Sequence, residues 1–180
     1  MSKILQLKIK LLKTKPLIWR RVHAKETITF WDIHVIIRNG YEWTDDQPHY
    51  FKIIDNNKKI SIIRSYLDDY ENNKFPLSWN IKIKKFLINE KYKVYYVYGT
   101  KENHVHLISL EKTFYQDLST KYPICTGGNG IPTESDSEDE SEISKQVKST
   151  YKFKIDDVVL TESFRALNEH KIKLFDQLFS

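Results

Sequence analysis

Cysteine is all but missing from this chain: Cys125 is the one thiol in 180 residues. No disulfide framework can form within it and no cysteine-rich zinc finger can be built, which points to a reducing, intracellular compartment, cytoplasmic or nuclear. Long apolar runs are missing as well. Lys3, Lys8, Lys10, Lys13 and Lys15 break up the apolar N-terminus, so it offers neither a secretory-signal core nor a membrane span, and no membrane partner is expected. Glycine is scarce. The cluster Gly127, Gly128 and Gly130 lacks the Lys-Ser/Thr that would turn it into a nucleotide-phosphate loop.

Charge is plentiful but unevenly placed. The 29 Lys and Arg exceed the 24 Asp and Glu for a net +5. Six of those acids fall within residues 134–142, leaving 18 acids against 29 bases, a surplus of 11, on the rest of the chain. A body so charged attracts polyanions: nucleic acid, an anionic surface, or its own acidic tract. The surplus is carried by Lys rather than Arg, 24 to 5, and Ile, Lys and Asn together make 55 of the residues, a usage that A/T-rich coding alone would impose. Arg is the better reader of phosphates and bases, so its scarcity weakens the nucleic-acid reading.

The length suits one domain with its own core. Residues 4–11 alternate Leu5, Leu7, Ile9 and Leu11 with Gln6, Lys8 and Lys10, the period of a half-buried strand. Thr14-Lys15-Pro16 makes a turn and Ile18 to His23 a second strand, so the two should pair as an antiparallel hairpin with Trp19 and Arg21 on one face. Thr29 caps a helix through about Asn39, and Gly40 offers a left-handed stop. Tyr50–Ile54 and Lys59–Ile63 flank the turn Asp55-Asn56-Asn57. Phe86-Leu87-Ile88 suggests a short buried segment, and Tyr92–Tyr98 with His104–Glu111 a second hairpin. Residues 126–149 read as an acidic, Gly- and Ser-rich flexible loop, Tyr151–Ile155 as a strand and 161–179 as a docking helix capped by Thr161. The expected fold is a single α+β domain, 1–125, with a mostly antiparallel sheet packed with an N-terminal and a C-terminal helix, the loop 126–149 and the segment 150–180 belonging to the same body.

Three constellations carry candidate chemistry. Glu102, His104 and His106 alternate, so a strand projects them from one face, where they can ligate a divalent metal or share a proton; a solvated polar edge uses the same residues. Trp43 through His49 brings Asp45, Asp46 and His49 together after the helix, a set for a hard cation or for acid–base work; a plain turn also explains the two Asp. Cys125 is nucleophilic only if an imidazole lowers its pKa, and a lone Cys otherwise serves as a small apolar group. In the acidic tract, Ser135, Ser137 and Ser141 are candidate phosphorylation sites, and the tract can also mimic a polyanion over the basic body; a solvated linker is the plainer reading.

The stretch from Leu5 through Trp19-Arg20-Arg21-Val22, the helix holding Trp31-Asp32-Ile33-His34, and Trp43-Thr44-Asp45-Asp46-Gln47-Pro48-His49-Tyr50-Phe51 resemble the plasmid pRiA4b ORF-3-like family. Its usual pattern has Pro-Pro-Ile-Trp-Arg-Arg, a helix with Leu-His, and Trp-Thr-x-x-His-Leu-His-x-Phe. Trp43, His49 and Phe51 agree with it, while Gln47 stands where the family has its first His. A second hallmark, Tyr-Asp-Phe-Gly-Asp-x-Trp-x-His and a strand ending in Glu, lies over Tyr98 to Glu111. Tyr98 and His106 match, Gly99 replaces the first Asp, Glu102 the second and His104 the Trp. Tyr122-Pro123-Ile124-Cys125 resembles a third, and Pro132-Thr133-Glu134 does so loosely. The likeness covers about residues 4–125.

The resemblance implies a single α+β domain from plasmids and transposable elements, with a polar pocket between the two hallmark segments that suits metal-assisted chemistry. A resolvase label has circulated for some members. Serine recombination needs an activated Ser among phosphate-holding Arg residues, and none follows the first strand here. The leading expectation is a noncatalytic binding module of a mobile element or large DNA virus. It would hold nucleic acid or protein through Trp19, Arg20, Arg21, Trp31 and Trp43, although these tryptophans can equally fill a core. The alternative is a metal-dependent hydrolase or phosphodiesterase with His49, Glu102, His104 and His106 as ligands and Asp45 or Asp46 assisting.

Overall fold

The computed structural model describes residues 2–41, 43, 48–64, 78–88, 91–99 and 104–130. They form a mostly antiparallel sheet of seven strands with two α-helices. The strands are β1 (Lys3–Leu11), β2 (Ile18–Lys25), β3 (His49–Asp55), β4 (Ile60–Arg64), β5 (Tyr92–Tyr98), β6 (His104–Tyr115) and β7 (Ile124–Asn129). The helices are α1 (Phe30–Gly40) and the single turn α2 (Lys84–Leu87). Across the sheet the order is β4-β3-β5-β6-β1-β2-β7. None of the described helices is long and apolar enough to cross a membrane.

The alternation in β1 decides the two faces. Leu5, Leu7, Ile9 and Leu11 are buried on one side, and Gln6, Lys8 and Lys10 stand on the other. The turn Thr14–Pro16 returns the chain as β2, paired from Ile4↔Lys25 to Leu11↔Ile18. The chain then crosses the apolar face as α1 to start β3, on the far side of β1, β6 and β5. Thr29 starts the helix with a capping box: its hydroxyl accepts from the Asp32 amide, and its own amide donates to the Asp32 carboxylate at 2.7 Å. Ile33, Ile36 and Ile37 bury fully against the sheet, each worth about 1.5–3 kcal/mol relative to exposure.

The helix does not stop on a left-handed glycine. Gly40 is its last residue, and Tyr41 at φ −113° forms the cap. The Tyr41 hydroxyl donates to the Ile9 carbonyl at 3.0 Å, fixing the helix end to β1.

Two further expectations are corrected. Phe86–Ile88 lies at the end of α2, where Phe86 and Leu87 pack on the core and Ile88 is exposed. Residues 126–129, expected as the start of a flexible loop, belong to strand β7 and pair with β2 from Trp19↔Asn129 to His23↔Ile124. Their glycines serve close approach. A Cβ on Gly128 would come within 3.0 Å of both the Arg20 side chain and the Trp19 carbonyl, and Gly127 lies against the Trp19 indole. The strand expected at 151–155 and the helix at 161–179 lie outside the described residues.

Candidate functional site

Register places the expected histidines on the inner face, under α1. His49, Tyr98 and His104 align across β3, β5 and β6, and in the next row Phe51, Tyr96, His106 and Leu11 do the same. The helix adds Trp31 and His34, one turn apart, and Tyr41; Trp43 follows it. These rings fall into two groups on either side of the tyrosines. On one, His34 and His49 stack in parallel with centroids 3.6 Å apart, and His34 Nδ1 lies 2.7 Å from the Tyr96 hydroxyl. On the other, Trp43 stacks on Tyr98 at 4.5 Å and meets His104 at 4.9 Å and His106 at 5.0 Å. Tyr96 stands between them, 5.8 Å from His49 and 5.6 Å from His106.

Burial sets the electrostatics of this cluster. His106 is fully buried, and desolvation, helped by His104, pushes its pKa down to about 3. Burial lowers His34 well below the ordinary imidazole range, with His49 and Arg38 adding to it. Both therefore stay neutral at physiological pH and make poor proton carriers there. Neither ring nitrogen of His106 meets a side-chain hydrogen-bond partner among the described residues; what acts on the ring is the backbone of His104 and Tyr96. Among those residues no group of three or more His, Cys, Asp or Glu converges as a metal site. Thus His104 and His106 do share a face, but it is the packed one and not a solvated edge. Glu102, Asp45 and Asp46 lie outside the described residues, as do Ser135, Ser137 and Ser141. Cys125 is buried; desolvation raises its thiol pKa and the thiol donates to the Gly127 carbonyl at 3.4 Å, as suits a small apolar group.

The aromatic and basic set divides between the faces. Arg20 is buried: its Nε donates to the Gly40 carbonyl at 2.6 Å, its Nη1 to the carbonyls of Trp19 and Asn129, and its guanidinium lies 4.9 Å from the Tyr41 ring. Trp31 and Trp43 pack against the core. Trp19 and Arg21 are on the outer face, as expected of alternate strand positions.

That outer face has a composition of its own. One row, fixed by strand register, reads Lys52, Tyr95, Leu107, Lys10, Trp19 across β3, β5, β6, β1 and β2. Tyr50 lies beside it on β3 and Lys8 and Arg21 beside it on β1 and β2. Lys8 Nζ sits 4.5 Å and the Arg21 guanidinium 5.3 Å from the Trp19 ring. Among the described residues Glu111 is the carboxylate of this face; it takes a bidentate bond from Arg21 at 2.6 and 3.0 Å, a bond from Gln6 and a looser approach from Lys8 at 3.9 Å. The Arg21 bond is the main reason its pKa falls to about 2. The Gln6 side-chain carbonyl faces His23 Nε2 at 2.9 Å, so a polar string runs His23–Gln6–Glu111–Arg21.

His34 and the outer-face residues Tyr50, Lys52 and Tyr95 join the candidates only in the folded chain. For the first, the helical His of the family pattern is a signal in the sequence. For the others the signal is strand parity, legible only once the strand order is known.

A family model described as plasmid pRiA4b ORF-3-like protein matches residues 3–151, beyond the 4–125 over which the resemblance is legible. Among solved structures, a crystal structure of a protein of unknown function, MM3350 from Methanosarcina mazei Go1, is similar at 26% identity and a TM-score of 0.66, covering 76% of this chain and 75% of that one. Curated proteins give no match.

Proposed function

The chain belongs to the plasmid pRiA4b ORF-3-like family, and from that premise we propose that it is a noncatalytic binding module whose outer sheet face holds single-stranded nucleic acid. The observation that carries the reading is the cross-strand row Lys52–Tyr95–Leu107–Lys10–Trp19. A single strand presents phosphates at regular intervals and bases with flat faces. A sheet surface answers both when cations and aromatic rings alternate on it, and stacking on an aromatic ring is sequence-tolerant. Lys8 lies over the Trp19 ring, and Arg21, held by Glu111, lies beside it, so a base that stacks on Trp19 supplants the Lys8 contact and brings its phosphate within reach of that ammonium. The inner cluster supports a noncatalytic role, since His34 and His106 stay neutral and the Cys125 thiol is protonated.

The test is fluorescence anisotropy with a labelled 15-nucleotide oligothymidine over a salt series. Binding should weaken as salt rises, and replacing Lys10 and Lys52 by Ala should lower the log–log slope by about 0.7 for each phosphate no longer neutralised. Trp19→Ala should cost about 1–3 kcal/mol. No binding at low salt overturns the reading.

A metal-dependent hydrolase using His49, Glu102, His104 and His106, with Asp45 or Asp46, is favoured by one observation: among the described residues, buried His106 offers its ring nitrogens to no side chain, although Tyr96 stands between it and His49. Zinc and manganese titrations of the wild type and of His106→Gln decide it. Binding that disappears in the variant supports this reading, and equal or absent binding removes it.

A further inference from the structure

The outer face carries Lys8, Lys10, Arg21, Lys52, Lys93 and Lys112, with Glu111 the carboxylate among them. Residues 134–142 of the same chain, Glu-Ser-Asp-Ser-Glu-Asp-Glu-Ser-Glu, combine six carboxylates and three hydroxyls with no base. The described residues end at Gly130, next to Asn129, the partner of Trp19. We propose that the acidic run 134–142 is the intramolecular occupant of this face, competing with nucleic acid for it.

Reach and charge carry the argument. From Gly130, four residues lead to Glu134 and twelve to Glu142, spans of at most about 14 and 43 Å at full extension. Lys10 on β1 lies two strand positions from β7 and Lys52 on β3 lies five, about 10 and 24 Å at the usual strand spacing. The run therefore reaches the cations at both ends of the row. Being tethered beside Trp19, it meets them at an effective concentration of about the millimolar order. Its carboxylates replace phosphates, but it brings no aromatic bases, so it satisfies the cations and leaves Trp19, Tyr50 and Tyr95 unstacked. An incoming single strand supplies both. Phosphate groups on Ser135, Ser137 or Ser141 would each add about −1.5 to −2 charges to the occupant and shift the competition towards the acidic run.

This inference rests on the sheet-face reading of function, and its test separates the two. In the full chain, the six acids of the run are replaced by their amides (Glu134→Gln, Asp136→Asn, Glu138→Gln, Asp139→Asn, Glu140→Gln and Glu142→Gln), and oligothymidine affinity is compared with wild type at low and high salt. The amide variant should bind about tenfold tighter at low salt, with the gap closing as screening grows. A triple Ser135→Glu, Ser137→Glu, Ser141→Glu variant should bind more weakly than wild type. If wild type binds and the amide variant binds equally, the competition is overturned and the sheet reading stands. If neither binds, the sheet reading fails, and zero-length carbodiimide coupling of the wild type still judges the occupant. Links within one molecule from the run to Lys8, Lys10 or Lys52 support it. Links chiefly to Lys58 or Lys85, or between molecules, overturn it.

Discussion

Trp19, Arg20 and Arg21 are consecutive and read alike in the sequence, yet strand parity sends the middle one inward and the other two outward. The buried guanidinium is held by three backbone carbonyls from the end of α1, from β2 and from β7. Removing it strands those acceptors, so Arg20→Met should destabilise by about 1–3 kcal/mol in urea unfolding, with loss of a charged hydrogen bond at the upper end. Arg21→Ala, by contrast, breaks a surface ion pair with Glu111 and should change stability by no more than about 1 kcal/mol, while weakening oligothymidine binding. His106 gives a second prediction at this scale. Its folded pKa of about 3 lies below the ordinary 6.5, so as pH falls the unfolded chain takes up this proton first. The contribution is present above pH 6.5 and is lost progressively from there towards pH 3. A melting temperature that declines across that window in the wild type, and declines less in His106→Leu, is the expected result.

Elements are more legible than residues. The two hairpins and the α1 helix follow from period-2 and period-3.6 patterns that are strong in β1 and in Phe30–Ile37. Thr29→Ala removes the side-chain half of the capping box and should cost about 1 kcal/mol in thermal or urea unfolding. Strand β7 is not legible because glycine normally signals flexibility, and here Gly127 and Gly128 serve packing against Trp19 and Arg20. Gly130, like Gly99, is a position where backbone freedom itself is needed. Its φ is +73° and a Cβ would lie 2.9 Å from Ile18 Cγ1. Gly130→Ala should therefore destabilise by about 1 kcal/mol or more, measured in the same unfolding experiment.

On the scale of the whole molecule, the sequence conveys which residues are chemical but not how they are divided. Trp19, Arg20, Arg21, Trp31 and Trp43 read in the sequence as one binding set. The strand order β4-β3-β5-β6-β1-β2-β7 distributes them instead between a packed inner layer and a charged outer one. That order depends on long-range pairing such as β1 with β6, which no local pattern announces. The same two-sidedness bears on how the chain avoids misfolding. Sliding β1 by one position against its neighbours would drive Lys8 and Lys10 into the oily interior and expose Leu7 and Ile9 to water. The lysines that suit the surface to anionic guests thereby also penalise wrong alignments during assembly, so neutralising several of them at once would loosen the fidelity of folding as well as the grip on a ligand.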